Sequence, residues 1–307
     1  MGDTQPHRMQ QSIEIDQRLA RPGVELAYRV TRGGGPAGRG IVLLHGLASN
    51  LSRWSEFVEH TTLAGAGTLV RVDLRGHGAS TTRGPLSLEL WCEDLAALLD
   101  AEGLRRAVLV GHSLGAQVAL QFAARHAART EALVLIDPVF RAALSGRWRL
   151  LAQASPLLHV LVALLRAANA LGLRRRLLPP LDLRELDRQA RIALQSPDAE
   201  AAFVRQYSST TADLQHIRTA HYLQNLIELF RPPPPPEATA LPVLVLLSTG
   251  ATFAALDATR AVAQRFPQGR IETIDCHHWP LTERPAEVRA LIEGFVHALP
   301  GGTLVAR

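Results

Sequence analysis

Two apolar patterns divide this chain. Residues 13–16 and 24–30 alternate apolar and polar side chains, which predicts strands with one face in water, paired antiparallel at a sheet edge. Residues 41–44, 68–72, 107–110, 133–136 and 242–247 are instead almost unbroken apolar runs, the mark of strands covered on both faces, as in parallel sheets. Between them, helical periodicity predicts helices over residues 87–101, 116–128, 257–266 and 285–298. This alternation predicts an α/β fold, a mostly parallel sheet with helices on both faces. It stops from Phe140 to about Thr239, where Leu- and Ala-rich helical segments follow one another without a convincing strand. The expected organisation is a core of residues 1–139 and 240–307 with a helical cap inserted at 140–239. The run Pro232 to Pro236 predicts an extended, stiff strap back to the core, because each ring fixes φ and removes a donor. Recognition by a proline-binding module is the alternative reading of that run. No internal repeat stands out.

Composition narrows the class. An apolar share of 47% in 307 residues is enough for a sizeable core. The net charge of +5 raises nucleic acid as a partner, but all the basic side chains are arginine, spread along the chain beside acids apart from Arg174-Arg175-Arg176, and aromatics make up only 5%. Nucleic-acid binding is therefore not expected. Cys92 and Cys276 have neither metal-ligand nor disulfide-framework spacing, which suits free thiols and a cytoplasmic location. The N-terminal residues 1–11 are polar without a signal-like core, and Pro6 stands where a myristoylation motif needs Ser or Thr. The most apolar window, 150–165, is interrupted by Gln153, Ser155, Pro156 and His159 and is too short to span a bilayer. No stable membrane insertion is expected, which leaves that window to line a pocket or touch a membrane surface.

Candidate chemistry centres on Gly111-His112-Ser113-Leu114-Gly115, which follows the run 107–110 and opens a helical pattern. A sharp strand-to-helix turn strains the central residue and leaves no room for side chains two positions before and after it, so both places need glycine. Such an elbow lifts the Ser113 hydroxyl above the sheet, and the amide of Leu114, at the helix start, is free to face an oxyanion. The pattern points to covalent acyl chemistry at Ser113. It also occurs in ordinary strand-turn-helix junctions, so the surrounding motifs must decide.

With these elements in order, the chain resembles the α/β-hydrolase superfamily, its serine-nucleophile, helical-cap members in particular, from about Ile13 to Ala298. His45-Gly46 is similar to the first oxyanion element of that family, which implies that the Leu47 amide pairs with that of Leu114; His45 itself reads as a structural residue ordering this loop. Asp73-Leu74-Arg75-Gly76-His77-Gly78-Ala79-Ser80 resembles the turn that braces the oxyanion loop, with Asp73 and Arg75 as scaffold. Ile274 to Pro280 resembles the loop that delivers the catalytic base. That resemblance makes His278 the base, and His277 stands where relatives commonly carry glycine. An imidazole suits both proton removal and proton return near neutral pH.

The third member of a triad is open in the sequence. Relatives usually place an Asp three residues beyond a glycine after the strand at 243–247, but Gly250 is followed by Ala251, Thr252 and Phe253. In some relatives the acid lies at the end of the preceding strand, where this chain has Asp137. Asp257 is the alternative acid, with capping of its helix as its bland role, and a chain with no carboxylate partner is the third possibility. The resemblance implies a cofactor-independent hydrolase of an ester, lactone or thioester. Acyl transfer or carbon–carbon bond hydrolysis on the same scaffold, and a catalytically weak ligand-binding protein, are the alternatives. A serine at the elbow argues against the dehalogenases and epoxide hydrolases of the superfamily, which use Asp there. No phosphate loop or cluster of His, Cys and carboxylate ligands is visible, so neither a metal nor another cofactor is expected. The partner is then a small molecule. Leu157, Leu158, Val160, Leu161, Leu164 and Leu165 suggest an apolar acyl or alcohol group under the cap, although packing of the cap onto the core explains them equally well. Tyr207, His216, His221 and Tyr222 receive no role, and the sequence does not disclose the oligomeric state.

Overall fold

The computed structural model describes residues 14–173, 178–194, 196, 199–250 and 253–300. The segment up to Ile13, the Arg174-Arg175-Arg176 run, and Ala251 and Thr252 lie outside the described residues. Strands β1 (Glu14–Arg21), β2 (Val24–Thr31), β3 (Arg39–Leu44), β4 (Thr68–Val72), β5 (Arg106–His112), β6 (Thr130–Ile136), β7 (Val243–Gly250) and β8 (Gly269–His277) form one sheet in the order β1-β2-β4-β3-β5-β6-β7-β8. The pairs β1–β2 and β2–β4 are antiparallel and the others parallel.

The unbroken apolar runs become strands with both faces buried. On β3, Val42 and Leu44 join one core with Leu109 of β5 and Leu133 and Leu135 of β6, while Ile41, Leu43, Val108, Val110, Val134 and Ile136 face the opposite core. β8 was not expected as a strand. It is an edge strand with several exposed positions, so its apolar residues Ile271, Ile274 and Cys276 are too sparse to form a run.

Helices cover both faces: α1 (Ser55–His60), α2 (Leu88–Ala101) and α3 (Leu114–Arg125) from the first half of the core. The insertion holds α4 (Gly146–Gln153), α5 (Ser155–Ala170), α6 (Leu183–Ala193), α7 (Glu200–Tyr207), α8 (Thr210–His216) and α9 (Thr219–Leu229), and the core resumes with α10 (Leu256–Ala263), α11 (Pro280–Glu283) and α12 (Pro285–Ala298). The proline run is not extended to its end, because Pro236 opens a short 3-10 turn before β7.

A buried charge pair fastens the insertion to the core. Arg53, in the turn after β3, bonds Asp187 of α6 and also donates to Thr282 Oγ1 of α11 at 2.7 Å. Tyr207 of α7 donates to the same Asp187 carboxylate at 2.8 Å. The two faces of α5 differ from the expectation of an apolar roof. Leu158 and Val162 pack inward against Ile227 of α9, whereas Leu157, Val160, Leu161 and Leu164 point away from the protein.

Candidate active site

Four neighbouring strand ends deliver the candidate residues to one place. His112 pairs with Ile136, so Ser113 and Asp137 each stand one residue beyond the end of adjacent strands, and the Ser113 amide donates to Ile136 O at 2.9 Å. Ile136 pairs in turn with Leu246, and the Asp137 amide donates to Leu246 O at 2.9 Å. Gly250 pairs with His277 at the end of β8, one residue before His278.

The elbow has the geometry its glycines require. Ser113 has φ +53° and ψ −109°, a conformation that L-residues avoid. A Cβ on Gly111 would stand 2.3 Å from Gly115 O, and one on Gly115 would stand 2.3 Å from Leu44 O, so backbone occupies both places. Leu114 is the first residue of α3, and the amide of a first-turn residue has no partner in its own helix. Gly46 brings the β3 loop against the same spot, since a Cβ there would lie 3.4 Å from Ser113 Cβ. Leu47 follows it, half-buried. Among the described residues, the non-glycine positions with positive φ are Ala48, Ser113 and Asp137, all of them at this site. Strain of this sort costs about 1–3 kcal/mol per residue and persists where surrounding structure imposes it.

His278 Nε2 lies 3.2 Å from Ser113 Oγ. On the other side of the ring, Nδ1 lies 3.2 Å from Asp137 Oδ2, close enough for an ion pair but off the line of an aligned hydrogen bond. Asp137 is held from behind by Ser248, whose amide donates to Oδ1 at 2.7 Å and whose hydroxyl donates to Oδ2 at 2.6 Å. Burial alone would push the Asp137 carboxyl up, but the His278 imidazole and the two Ser248 donors outweigh it and hold the carboxyl below its ordinary value. Ser113 and His278 are almost sealed from solvent, at 2% and 6% exposed. Aromatic rings flank His278, with Phe253 at 4.9 Å and Trp279 at 6.2 Å between centroids.

The other sequence candidates fall elsewhere. His277 turns away, its Nδ1 3.0 Å from Glu283 Oε2. Asp257 lies exposed in the first turn of α10, where Ala255 holds the N-cap position, so Asp257 neither caps that helix nor meets His278. His45 accepts from the Leu74 amide at Nε2 (3.1 Å) and donates from Nδ1 to Gly46 O (2.8 Å), tying the loop of Leu47 to the strand end after β4. Burial depresses His45 to about 4, so it serves as a neutral tautomer. Asp73 accepts from the Leu51 and Ala79 amides, both at 2.7 Å, and Arg75 grips Asp94 of α2 with two bonds of 2.7 and 2.6 Å.

Two residues at the site carried no sequence signal. Ser248 is an ordinary residue in a strand end until β6 and β7 are known to be neighbours. His112, the variable position of the elbow, sends Nε2 to within 3.0 Å of His278 O and so anchors the loop bearing His278. His112, Asp137 and His278 bring donor atoms within 4.8 Å of one another, a spacing that would suit a metal ion. In this arrangement the His112 ring nitrogen is committed to a carbonyl and both Asp137 oxygens to Ser248. What the group can do chemically is draw a proton from a strained hydroxyl through an oriented imidazole.

Known proteins resemble this chain in part and in whole. An uncharacterized protein of Mycobacterium tuberculosis is 36% identical over 116 residues, 38% of this chain and 32% of its own length, so the chain spans about a third of that relative. The sn-1-specific diacylglycerol lipase ABHD11 of Mus musculus is 27% identical over 83% of this chain and 80% of that protein. Among solved structures, the enol-lactonase from Burkholderia xenovorans LB400 superposes with a TM-score of 0.63 at 24% identity, covering 91% of this chain and 99% of that one. The model of the alpha/beta hydrolase family matches residues 41–291, most of the chain and a span that includes the elbow, the brace and the histidine loop; the chain belongs to the alpha/beta hydrolase family.

Proposed function

We propose that this member of the family is a serine hydrolase that cleaves a carboxylic ester, lactone or thioester through an acyl-enzyme at Ser113. The observation that carries the reading is the relay Ser113 Oγ to His278 Nε2 and His278 Nδ1 to Asp137 Oδ2, each 3.2 Å, built on a backbone strained at both ends. His278 takes the hydroxyl proton as Ser113 Oγ bonds the carbonyl carbon, and the charge that develops on the carbonyl oxygen is met by the Leu47 and Leu114 amides. The protonated imidazole is held beside the ionised Asp137 and returns its proton to the leaving oxygen or sulfur as that bond breaks. Water then enters and gives a proton to His278 as its oxygen bonds the acyl carbon; the acyl–Oγ bond breaks as the imidazole returns that proton to Ser113 Oγ, which restores the free hydroxyl. Kinship with a diacylglycerol lipase and an enol-lactonase supports an ester bond as the scissile bond. Phe253 and Trp279 beside the imidazole support an apolar group next to it.

The test is fluorophosphonate labelling followed by peptide mass spectrometry, with p-nitrophenyl acyl esters, a γ-lactone and an acyl thioester as substrates. Modification confined to Ser113, together with loss of labelling and of ester hydrolysis in Ser113→Ala, is the expected result. A folded wild type that neither labels nor hydrolyses any of the three would overturn the reading.

A further inference from the structure

Seven of the large apolar side chains that the described residues expose lie between Leu150 and Leu173: Leu150, Leu157, Val160, Leu161, Leu164, Leu171 and Leu173. The rest of the described surface contributes Ile15 and Ile192. On α5 the spacing 157, 160, 161, 164 is that of one helix face, and Leu157 and Leu164 are 73% and 63% exposed. The opposite face is already satisfied, with Leu158 and Val162 packed on α9. This helix therefore carries one apolar face more than the described residues cover, and a contiguous face of that kind marks a surface that something else covers.

Charge and length identify what covers it. The stretch from Pro138 to Leu173 contains Arg141, Arg147, Arg149 and Arg166 and no Asp or Glu. Arg147 and Arg149 are exposed on α4, and the Arg147 guanidinium lies 4.7 Å over the Trp148 ring, an amphipathic pair on the helix that leads into α5. A second copy of this chain is a poor occupant. A two-fold contact would set the same basic rim against itself with no acid in the patch to pair with it. Anionic headgroups supply the missing charge, and acyl chains the missing apolar partner. Among the described residues no single helix is long and apolar enough to cross a bilayer; α4 and α5 together reach that length and composition but are bent by 67° at their junction, which favours lying along a surface over a straight span. We propose that the α4–α5 face docks flat on an anionic phospholipid surface, with Leu157, Val160, Leu161 and Leu164 below the headgroups and Arg147 and Arg149 among them.

The experiment is flotation of the full chain with vesicles of phosphatidylcholine alone or with 30 mol% phosphatidylglycerol, at low and high salt, with light scattering in the absence of lipid. Wild type floats with the anionic vesicles. Leu157→Ser combined with Leu164→Ser lowers the partition coefficient at least tenfold, and Arg147→Gln with Arg149→Gln removes the preference for phosphatidylglycerol and the salt dependence. Both pairs lie at the surface, and unchanged far-UV circular dichroism checks that they fold. Absence of wild type from anionic vesicles, or equal flotation of the leucine pair, overturns the proposal. So does a lipid-free dimer that the leucine pair abolishes, which would make a second copy the occupant.

Discussion

Asp137 combines a positive φ with complete enclosure, and Ser248 is the residue that makes the combination workable. Asp tolerates left-handed backbone better than most residues, which makes the strain affordable at that strand end. Two donors from Ser248 and the imidazole favour the ionised carboxylate against burial. Asp137→Asn is expected to lower kcat by roughly 10³- to 10⁴-fold, as the same change does in serine proteases with this triad, while Asp257→Asn leaves kcat unchanged. Steady-state kinetics on the best p-nitrophenyl ester separates the two, and the opposite order would make Asp257 the acid. Ser248→Ala removes one hydrogen bond to the carboxylate, of about 1–1.5 kcal/mol, and lowers kcat roughly tenfold with KM little changed. The acid was open in the sequence because the choice depends on which strands are neighbours. Asp137 and Ser113 occupy equivalent places one residue past β6 and β5, but that equivalence exists only once the register is fixed.

At the scale of elements, the buried parallel strands were legible because a strand covered on both faces can tolerate almost no polar residue. β8 was not legible, since half its positions meet solvent, and neither was the division of α5 into an inward and an outward face, because both faces are apolar. The elbow was legible for steric reasons, and its tolerance is correspondingly low. Gly115→Ala would put a Cβ within 2.8 Å of Leu44 and His45 backbone atoms, which cannot swing aside as a side chain would, so the variant is expected to lose about 3 kcal/mol of stability or fail to fold. Urea denaturation reads this directly, and a wild-type midpoint would contradict the crowding. The contact between insertion and core is held differently, by the enclosed Arg53–Asp187 pair. Asp187→Ala leaves the Arg53 charge buried without its carboxylate, a change of about 3–5 kcal/mol, and frees α6 from its anchor. Limited proteolysis is expected to cut the α6–α8 region of that variant first, and uniform resistance would show that other contacts hold the insertion.

Across the whole molecule, the seam between β-strand ends and insertion is built from neutral histidines, which ties folding to pH. His45 and His77 pack edge to face with centroids 5.0 Å apart, His77 Nε2 lies 2.8 Å from Asn225 Nδ2 of α9, His221 of α9 reaches Gly84 O at 3.3 Å, and His112 holds the His278 carbonyl. Burial depresses His45 and His221 to about 4, His112 to about 3 and His77 well below its ordinary 6.5. Each takes up a proton near pH 6 when the chain is unfolded and only far lower when it is folded. The unfolded state therefore binds more protons between these values, and stability falls as pH drops below about 6.5. Asp213 works in the opposite direction. Burial raises its carboxyl to about 7 from 3.8, so the folded state is the one that keeps this proton, offsetting one of the four histidines. Burial raises the Asp73 carboxyl as well, in the same opposing direction, so the net uptake is at most three protons and the slope at most about 4 kcal/mol per unit near pH 5. Over the unit and a half from pH 6.5 to 5 that is a loss of up to about 6 kcal/mol, a large share of an ordinary stability of about 5–15 kcal/mol. Urea titrations at pH 7.5, 6 and 5 are expected to show the decline. Asp213→Asn should raise stability most at the alkaline end, where wild type must bury a charged carboxylate, and least at pH 5. A folding free energy that stays flat from pH 7 to 5 would mean that the seam histidines are charged within the fold, and that the insertion is held by contacts other than these.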